Sequence, residues 1–215
     1  MKTKMSIALL SVLAFASAGA QAANIVQNGS FEADNIGNAS WAYLNSVTGW
    51  QSSSIFEIQK GATQGGQDGF NAEAYDGIQY LELNSTALTS VWQDLATTAG
   101  TTYTLSFAFS GRPDTPDGLK STFEVYWGDT KLINSSAKAK SDWVEYTFED
   151  LVATGTTTQL RFVSLGPAAA PSYGSYLDGV SVIAAVPEPS AYGMLALGLG
   201  VVGFVSTRKR KQNLA

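Results

Sequence analysis

The stretch Tyr103-Thr-Leu-Ser-Phe-Ala-Phe-Ser110 alternates without a break. Tyr103, Leu105, Phe107 and Phe109 fall on one side of an extended chain, and Thr104, Ser106, Ala108 and Ser110 fall on the other. A period of two held this long cannot place one apolar stripe on a helix; it defines a strand with one core-facing side. Thr122–Trp127 repeats the pattern, with Phe123, Val125 and Trp127 together and Glu124 and Tyr126 opposite. Gly128-Asp129 then predicts a tight hairpin into Lys131–Ile133. Further strands are expected at Gln79–Leu83, Ser90–Leu95, Trp143–Phe148, Gln159–Ser164 and Tyr176–Ile183, with shorter ones at Ile55–Ile58 and near Phe31 and Trp50. Trp41 and Tyr43 read as part of a polar loop, and Ser110–Gly118 reads as a turn-rich loop at a rim. No convincing helical period occurs between Asn24 and Ala185. Eight to ten short strands predict an all-β fold, a β-sandwich and most simply a jelly roll.

The two ends of the chain read differently. Lys2 and Lys4 precede an apolar run from Ile7 to Ala18 and the small-residue site Ala20-Gln21-Ala22, the order of a secretory signal peptide cut by signal peptidase after Ala22. At the other end, Val186-Pro187-Glu188-Pro189-Ser190 leads into an apolar, Gly-rich run and then Arg208-Lys209-Arg210-Lys211. Ala191–Thr207 at about 1.5 Å per residue can span roughly 25 Å as one transmembrane helix, with the basic cluster held in the cytoplasm. The expected division is a signal peptide over 1–22, a sandwich over 23–185 and a sorting tail over 186–215. Motif, helix and basic stop in this order resemble the PEP-CTERM sorting signal of Gram-negative bacteria. The resemblance implies that Pro187, Glu188 and Pro189 are recognised by an exosortase. It also implies an exported protein, transiently anchored in the inner membrane, destined for the cell surface or matrix and associated with exopolysaccharide and biofilm. An anchor that is never cut is the alternative.

Between its ends the chain is acidic: seven Lys and Arg stand against seventeen Asp and Glu from Asn24 to Ala185, a net −10 against −5 for the whole chain. Such a surface repels nucleic acid and anionic lipid and attracts cations. The chain has neither cysteine nor histidine. Disulfides, thiol nucleophiles, Ser-His-Asp chemistry and His-ligated zinc are therefore all excluded.

Ordered pieces run through the whole domain: Asn28-Gly29-Ser30-Phe31-Glu32; Gly49-Trp50; Asp76-Gly77-Ile78-Gln79-Tyr80-Leu81-Glu82-Leu83; Val91-Trp92-Gln93; Gly100–Phe107; Ser110-Gly111-Arg112-Pro113; Trp143–Phe148; and Gly174–Val182. Together they resemble the domain of unknown function 642 family and the related choice-of-anchor domains, which are similar to galactose-binding-like jelly rolls and to carbohydrate-binding modules. The usual Leu-Asp-Asn-Val appears here as Leu177-Asp178-Gly179-Val180. The resemblance implies a structural calcium ion between the first and last strands. Glu32 and Asp178 would be its side-chain ligands, with backbone carbonyls near Asn28 and Ser30 and one from the Gly77–Gln79 turn. The competing reading makes Glu32 and Asp178 surface carboxylates or partners of Arg161.

Sugar sites combine aromatic faces with planar polar groups. Among the five tryptophans, Trp127, Trp50 and Trp143 read as core, and Trp92 and Trp41 as exposed. Arg112, one of two arginines in the domain, has a fork suited to paired hydroxyls or a uronic carboxylate, or else braces its loop to Asp114 or Asp117. Tyr126, Glu124 and Tyr80 belong to outer faces. The expected ligand set is thus Arg112, Trp92, Trp41 and Tyr126, and the expected function is binding of polysaccharide at the cell surface, without catalysis. A structural or adhesive protein without a sugar ligand is the alternative. Glu57, Glu73, Asp76 and Glu82 are available for glycoside chemistry, but nothing in the sequence singles out a pair.

Overall fold

The computed structural model describes residues 23–66, 72–137 and 142–185, excepting the side chains at 136 and 137. The signal peptide, the Pro187–Pro189 motif and the expected transmembrane helix lie outside the described residues. Among the described residues no helix is long and apolar enough to cross a membrane.

Among the described residues eleven strands form two antiparallel sheets. They are β1 (Trp41–Leu44), β2 (Gln51–Ser52), β3 (Phe56–Lys60), β4 (Gln79–Glu82), β5 (Ser90–Ala96), β6 (Thr102–Gly111), β7 (Ser121–Trp127), β8 (Thr130–Ala137), β9 (Val144–Val152), β10 (Thr157–Ser164) and β11 (Ser175–Ala184). One sheet runs β1-β3-β4-β11-β6-β9 and the other β2-β5-β10-β7-β8. The alternation in Tyr103–Ser110 becomes β6, paired with β11 on one side and β9 on the other. Gly128, at φ +56°, turns β7 into β8, closing the expected hairpin.

The inner faces meet in an aromatic core. Phe109 of one sheet stacks on Phe123 of the other with ring centroids 3.6 Å apart, and Phe107 meets Phe162 edge-on at 5.1 Å. Each such ring contributes about 1.5–3 kcal/mol by burial, which is how a domain without disulfides holds together. Trp50 lies between Phe31 and Phe162 and donates its indole N–H to the carbonyl of Asn28 at 3.0 Å. Trp127 is likewise buried, as expected.

Three local expectations change. Trp41 and Tyr43 belong to strand β1 and not to a loop. Trp41 and Tyr43 face outward while Ala42 and Leu44 face inward, so both sides are apolar and no alternation shows. Phe31 is not in a strand; it occupies a turn at φ +59° with its ring fully buried. Trp143 is half-buried and packs outside the main core, in a smaller cluster with Ala72, Tyr80 and Tyr176.

Candidate functional site

Cross-strand register determines what stands on each outer face. In the six-stranded sheet one row reads Tyr43–Glu57–Glu82–Tyr176–Ser110 across β1, β3, β4, β11 and β6. Two carboxylates therefore face each other on adjacent strands, an arrangement that costs stability when both are charged. The Gln59 amide nitrogen donates to both of them, to Glu57 Oε1 and Glu82 Oε2, each at 2.8 Å. Glu57 is 5% exposed and Glu82 1%. Burial first, and then the charge of Glu82, push Glu57 up to about 8. Burial also pushes Glu82 up, to about 7, against the opposing pull of Arg112 and of the Gly174 N–H. This pair is the one that sequence alone did not single out.

Arg112 closes one end of the row. Its Nη1 donates to both Glu82 oxygens and to the Ser172 carbonyl, and its Nε and Nη2 donate to the Asp114 carboxylate. The guanidinium lies 5.1 Å from the centroid of the Tyr173 ring. Every arm of the fork is thus engaged, and Arg112 acts as a brace between the β6–β7 loop and the β4 carboxylate. The Gly174 N–H also donates to Glu82, at 2.7 Å; a Cβ at Gly174 would stand 2.6 Å from the Asn84 nitrogen, so the close approach excludes a side chain. At the opposite side, Trp41 and Tyr43 pack edge-to-face at 5.0 Å and remain 42% and 43% exposed. Trp41 is the cross-strand neighbour of Gln59, and Tyr43 of Glu57. An aromatic shelf thus borders a polar strip.

The expected ligand residues separate onto two faces. Arg112 and Trp41 belong to the six-stranded sheet. Trp92 and Tyr126 stand on the outer face of the five-stranded sheet, in the row Gln51–Trp92–Arg161–Tyr126–Lys131. Arg161, considered from sequence only as a partner of Glu32 and Asp178, is the residue between Trp92 and Tyr126. Its alternation with Leu160 and Phe162 marks it as outward, but its position between two aromatics depends on register.

The carboxylates expected to hold calcium face backbone N–H groups. Glu32 Oε1 accepts from Ile78 and Gln79 at 2.7 and 2.6 Å. Asp178 Oδ2 accepts from Tyr75 and Asp76 at 3.0 and 2.9 Å, and Oδ1 accepts from Gly179 at 2.7 Å. Burial pushes Asp178 up to about 8 against these donors. The two acids pin opposite ends of the Tyr75–Gln79 turn to the first and last segments of the sandwich. The turn thus offers N–H groups where a calcium ion needs carbonyl oxygens. Asn28, at φ +53°, has its amide bonded to Asp34 and to the Thr48 carbonyl, and its own carbonyl taken by Trp50. Ser30 belongs to the same turn. Among the described residues no group of three or more acidic side chains gathers as a metal site, and the oxygens of Glu32 and Asp178 face backbone N–H groups.

Two antiparallel sheets with polar and aromatic rows on their outer faces define a jelly-roll β-sandwich domain. Residues 24–183 match the family described as "Protein of unknown function (DUF642)", and the chain belongs to that family. Residues 185–211 match the PEP-CTERM protein-sorting motif, which marks an exported surface protein sorted by an exosortase. Halomucin of Haloquadratum walsbyi is 30% identical over 187 residues; the match takes in 82% of this chain but the chain spans only 2% of halomucin. Among solved structures, TmCBM61 in complex with beta-1,4-galactotriose aligns at a TM-score of 0.48 and 14% identity, over 75% of this chain and 99% of its own. The CBM22-1 xylan-binding domain of Paenibacillus barcinonensis Xyn10C aligns at 0.45 and 14% identity, over 78% of this chain and 97% of its own.

Proposed function

We propose that the sandwich is a non-catalytic carbohydrate-binding domain, displayed at the surface of a Gram-negative cell, that takes a saccharide against the β1 side of the six-stranded sheet. Signal peptidase removes residues 1–22, the helix over 191–207 holds the protein in the inner membrane, and an exosortase acts at Pro187–Pro189. The reading rests on one observation: the exposed pair Trp41 and Tyr43 stands beside Gln59 and Glu57 in cross-strand register. Aromatic faces stack on the C–H side of a pyranose, and these two rings are the exposed groups of this surface, at 42% and 43%. Arg112 keeps Glu82 in place beneath this surface. Affinity electrophoresis through gels of galactan, xylan and β-glucan tests the reading. Retention by at least one polymer, reduced tenfold or more in both Trp41→Ala and Tyr43→Ala, is the expected result. Unretarded migration in every gel, or retention indifferent to both substitutions, refutes it and leaves an adhesive protein without a sugar ligand.

The Glu57–Glu82 pair favours a second reading, a glycoside-active enzyme, because retaining glycosidases place two carboxyls about 5–5.5 Å apart. Against it, the Gln59 amide sits between the two acids within 2.8 Å of each, where a glycosidic oxygen would have to enter. Release of reducing sugar that is abolished by Glu57→Gln would establish the enzyme.

A further inference from the structure

We infer that the outer face of the five-stranded sheet carries a second binding site, for an uronate-bearing saccharide, centred on Arg161. This site is separate from the Trp41–Tyr43 surface and does not depend on it. Arg161 lies in β10, with Trp92 of β5 and Tyr126 of β7 as its direct cross-strand neighbours. Its guanidinium rests 4.4 Å from the centroid of the Tyr126 ring. The ion pairs among the described residues are Arg112–Glu82, Arg112–Asp114 and Lys131–Glu124, and none includes Arg161. Its Nε is buried and has no hydrogen-bond partner. In a domain of net charge −10, one of two arginines thus keeps its fork without a carboxylate. A planar fork that is charged at every ordinary pH and already stacked on an aromatic ring is built for bidentate contact with a carboxylate.

The flanking residues specify what carries that carboxylate. Two strand spacings separate Trp92 from Tyr126, about 10 Å, so an aromatic residue flanks Arg161 on each neighbouring strand. A sugar ring stacked on Trp92 can direct its carboxylate at Arg161. Tyr126 is fixed by its hydroxyl, which donates to Glu124, and Glu124 in turn accepts from Lys131 and Asn134. Arg161 sits in the middle strand of this sheet, so no free strand edge is available to pair with an extended peptide. The domain's net charge repels a dense polyanion. The geometry therefore favours a polymer with carboxylates spaced among neutral sugars.

The test is affinity electrophoresis of the full chain through gellan, a sparsely charged glucuronate polymer, and through the same polymer with its carboxylates reduced to alcohols. Retention by gellan at least tenfold stronger than by the reduced polymer is expected. Arg161→Gln should lose it, Arg161→Lys should lose most of it because the fork is gone, and Trp92→Ala should weaken it, while Trp41→Ala leaves it intact. Far-ultraviolet circular dichroism of each variant reports folding, and Lys120→Gln, an exposed change in the β6–β7 loop, should leave retention within about twofold. Equal retention by native and reduced gellan, or retention by folded Arg161→Lys equal to that of the unaltered protein, overturns the proposal. So does equal retention by polyglutamate, which would make the face a site for acidic peptides.

Discussion

Replacing Glu57 by glutamine removes one of the two acids that face each other across β3 and β4, and its effect on stability depends on pH in a calculable way. In the unfolded chain Glu57 loses its proton near 4.5; in the native sandwich burial and Glu82 hold it until about 8. Between those values the native state binds more protons than the unfolded state, so stability falls as pH rises through this window. Each unit is worth about 1.4 kcal/mol, and the displacement sets a ceiling of about 5 kcal/mol on the cost of full ionisation. Residual solvent contact and relaxation around the charge reduce this to about 2–3 kcal/mol. Glutamine keeps the shape and the acceptor for Gln59 and never ionises.

Thermal melts of the two proteins at pH 5 and pH 8.5 read the difference directly. At pH 5 both carry a neutral group at position 57 and should melt together. At pH 8.5 the variant should melt about 5–10 °C higher, at about 2–4 °C per kcal/mol for a domain of this size. Asp178 contributes to both proteins and largely cancels in the comparison; Glu82 ionises more easily once residue 57 carries no charge, which adds to the gap at pH 8.5. A gap of equal size at both pH values, or a variant that melts lower at pH 8.5, refutes the account of Glu57 as a buried acid held by its neighbours.

Arg112→Ala leaves Glu82, which is 1% exposed, without its cation; a loss of about 2–4 kcal/mol, larger at pH 8 than at pH 5, is expected in urea melts, and an unchanged midpoint would make the brace decorative. Gly77→Ala places a Cβ 2.5 Å from Glu32 Oε1 at φ +78°, so thermal stability should fall by about 1–3 kcal/mol; a neutral result would mean that the turn can shift. Because Glu32 and Asp178 hold backbone N–H groups, chelator should move the melting temperature by no more than roughly 1 °C, and a drop of several degrees would reinstate calcium at this end of the sandwich.

Strands β6, β7 and β10 were legible because each has a strictly alternating face, and the aromatic core follows from those three. Strand β1 was not, because Ala42 and Leu44 inside and Trp41 and Tyr43 outside leave no contrast between faces. The roles of charged residues were the least legible. Glu57 and Glu82 stand in sequence as two of four available carboxylates and Arg161 as a possible carboxylate partner, and each acquires its chemistry from the strand laid beside it. Twenty-five residues separate Glu57 from Glu82, and sixty-nine separate Trp92 from Arg161, so no local spacing rule can connect them. Arg112 shows the converse. Its Arg-Pro-Asp context marked it as a ligand group or a loop brace with equal force, and only the position of Glu82 on β4 decides that its fork is occupied.

The two outer faces therefore differ in what their cations are for. On the six-stranded sheet Arg112 neutralises a carboxylate that the fold itself has buried, and removing either partner leaves the other uncompensated. On the five-stranded sheet Arg161 compensates nothing within the described residues; its energetic support is the Tyr126 ring alone, worth about 0.5–2 kcal/mol. Burying the Arg161 Nε without a hydrogen-bond partner costs about 1–3 kcal/mol, which offsets what the ring contributes to stability. The asymmetry makes sense if one arginine serves the fold and the other serves a ligand, and it ranks the two residues oppositely in experiment: Arg112 variants should change melting more than binding, and Arg161 variants binding more than melting.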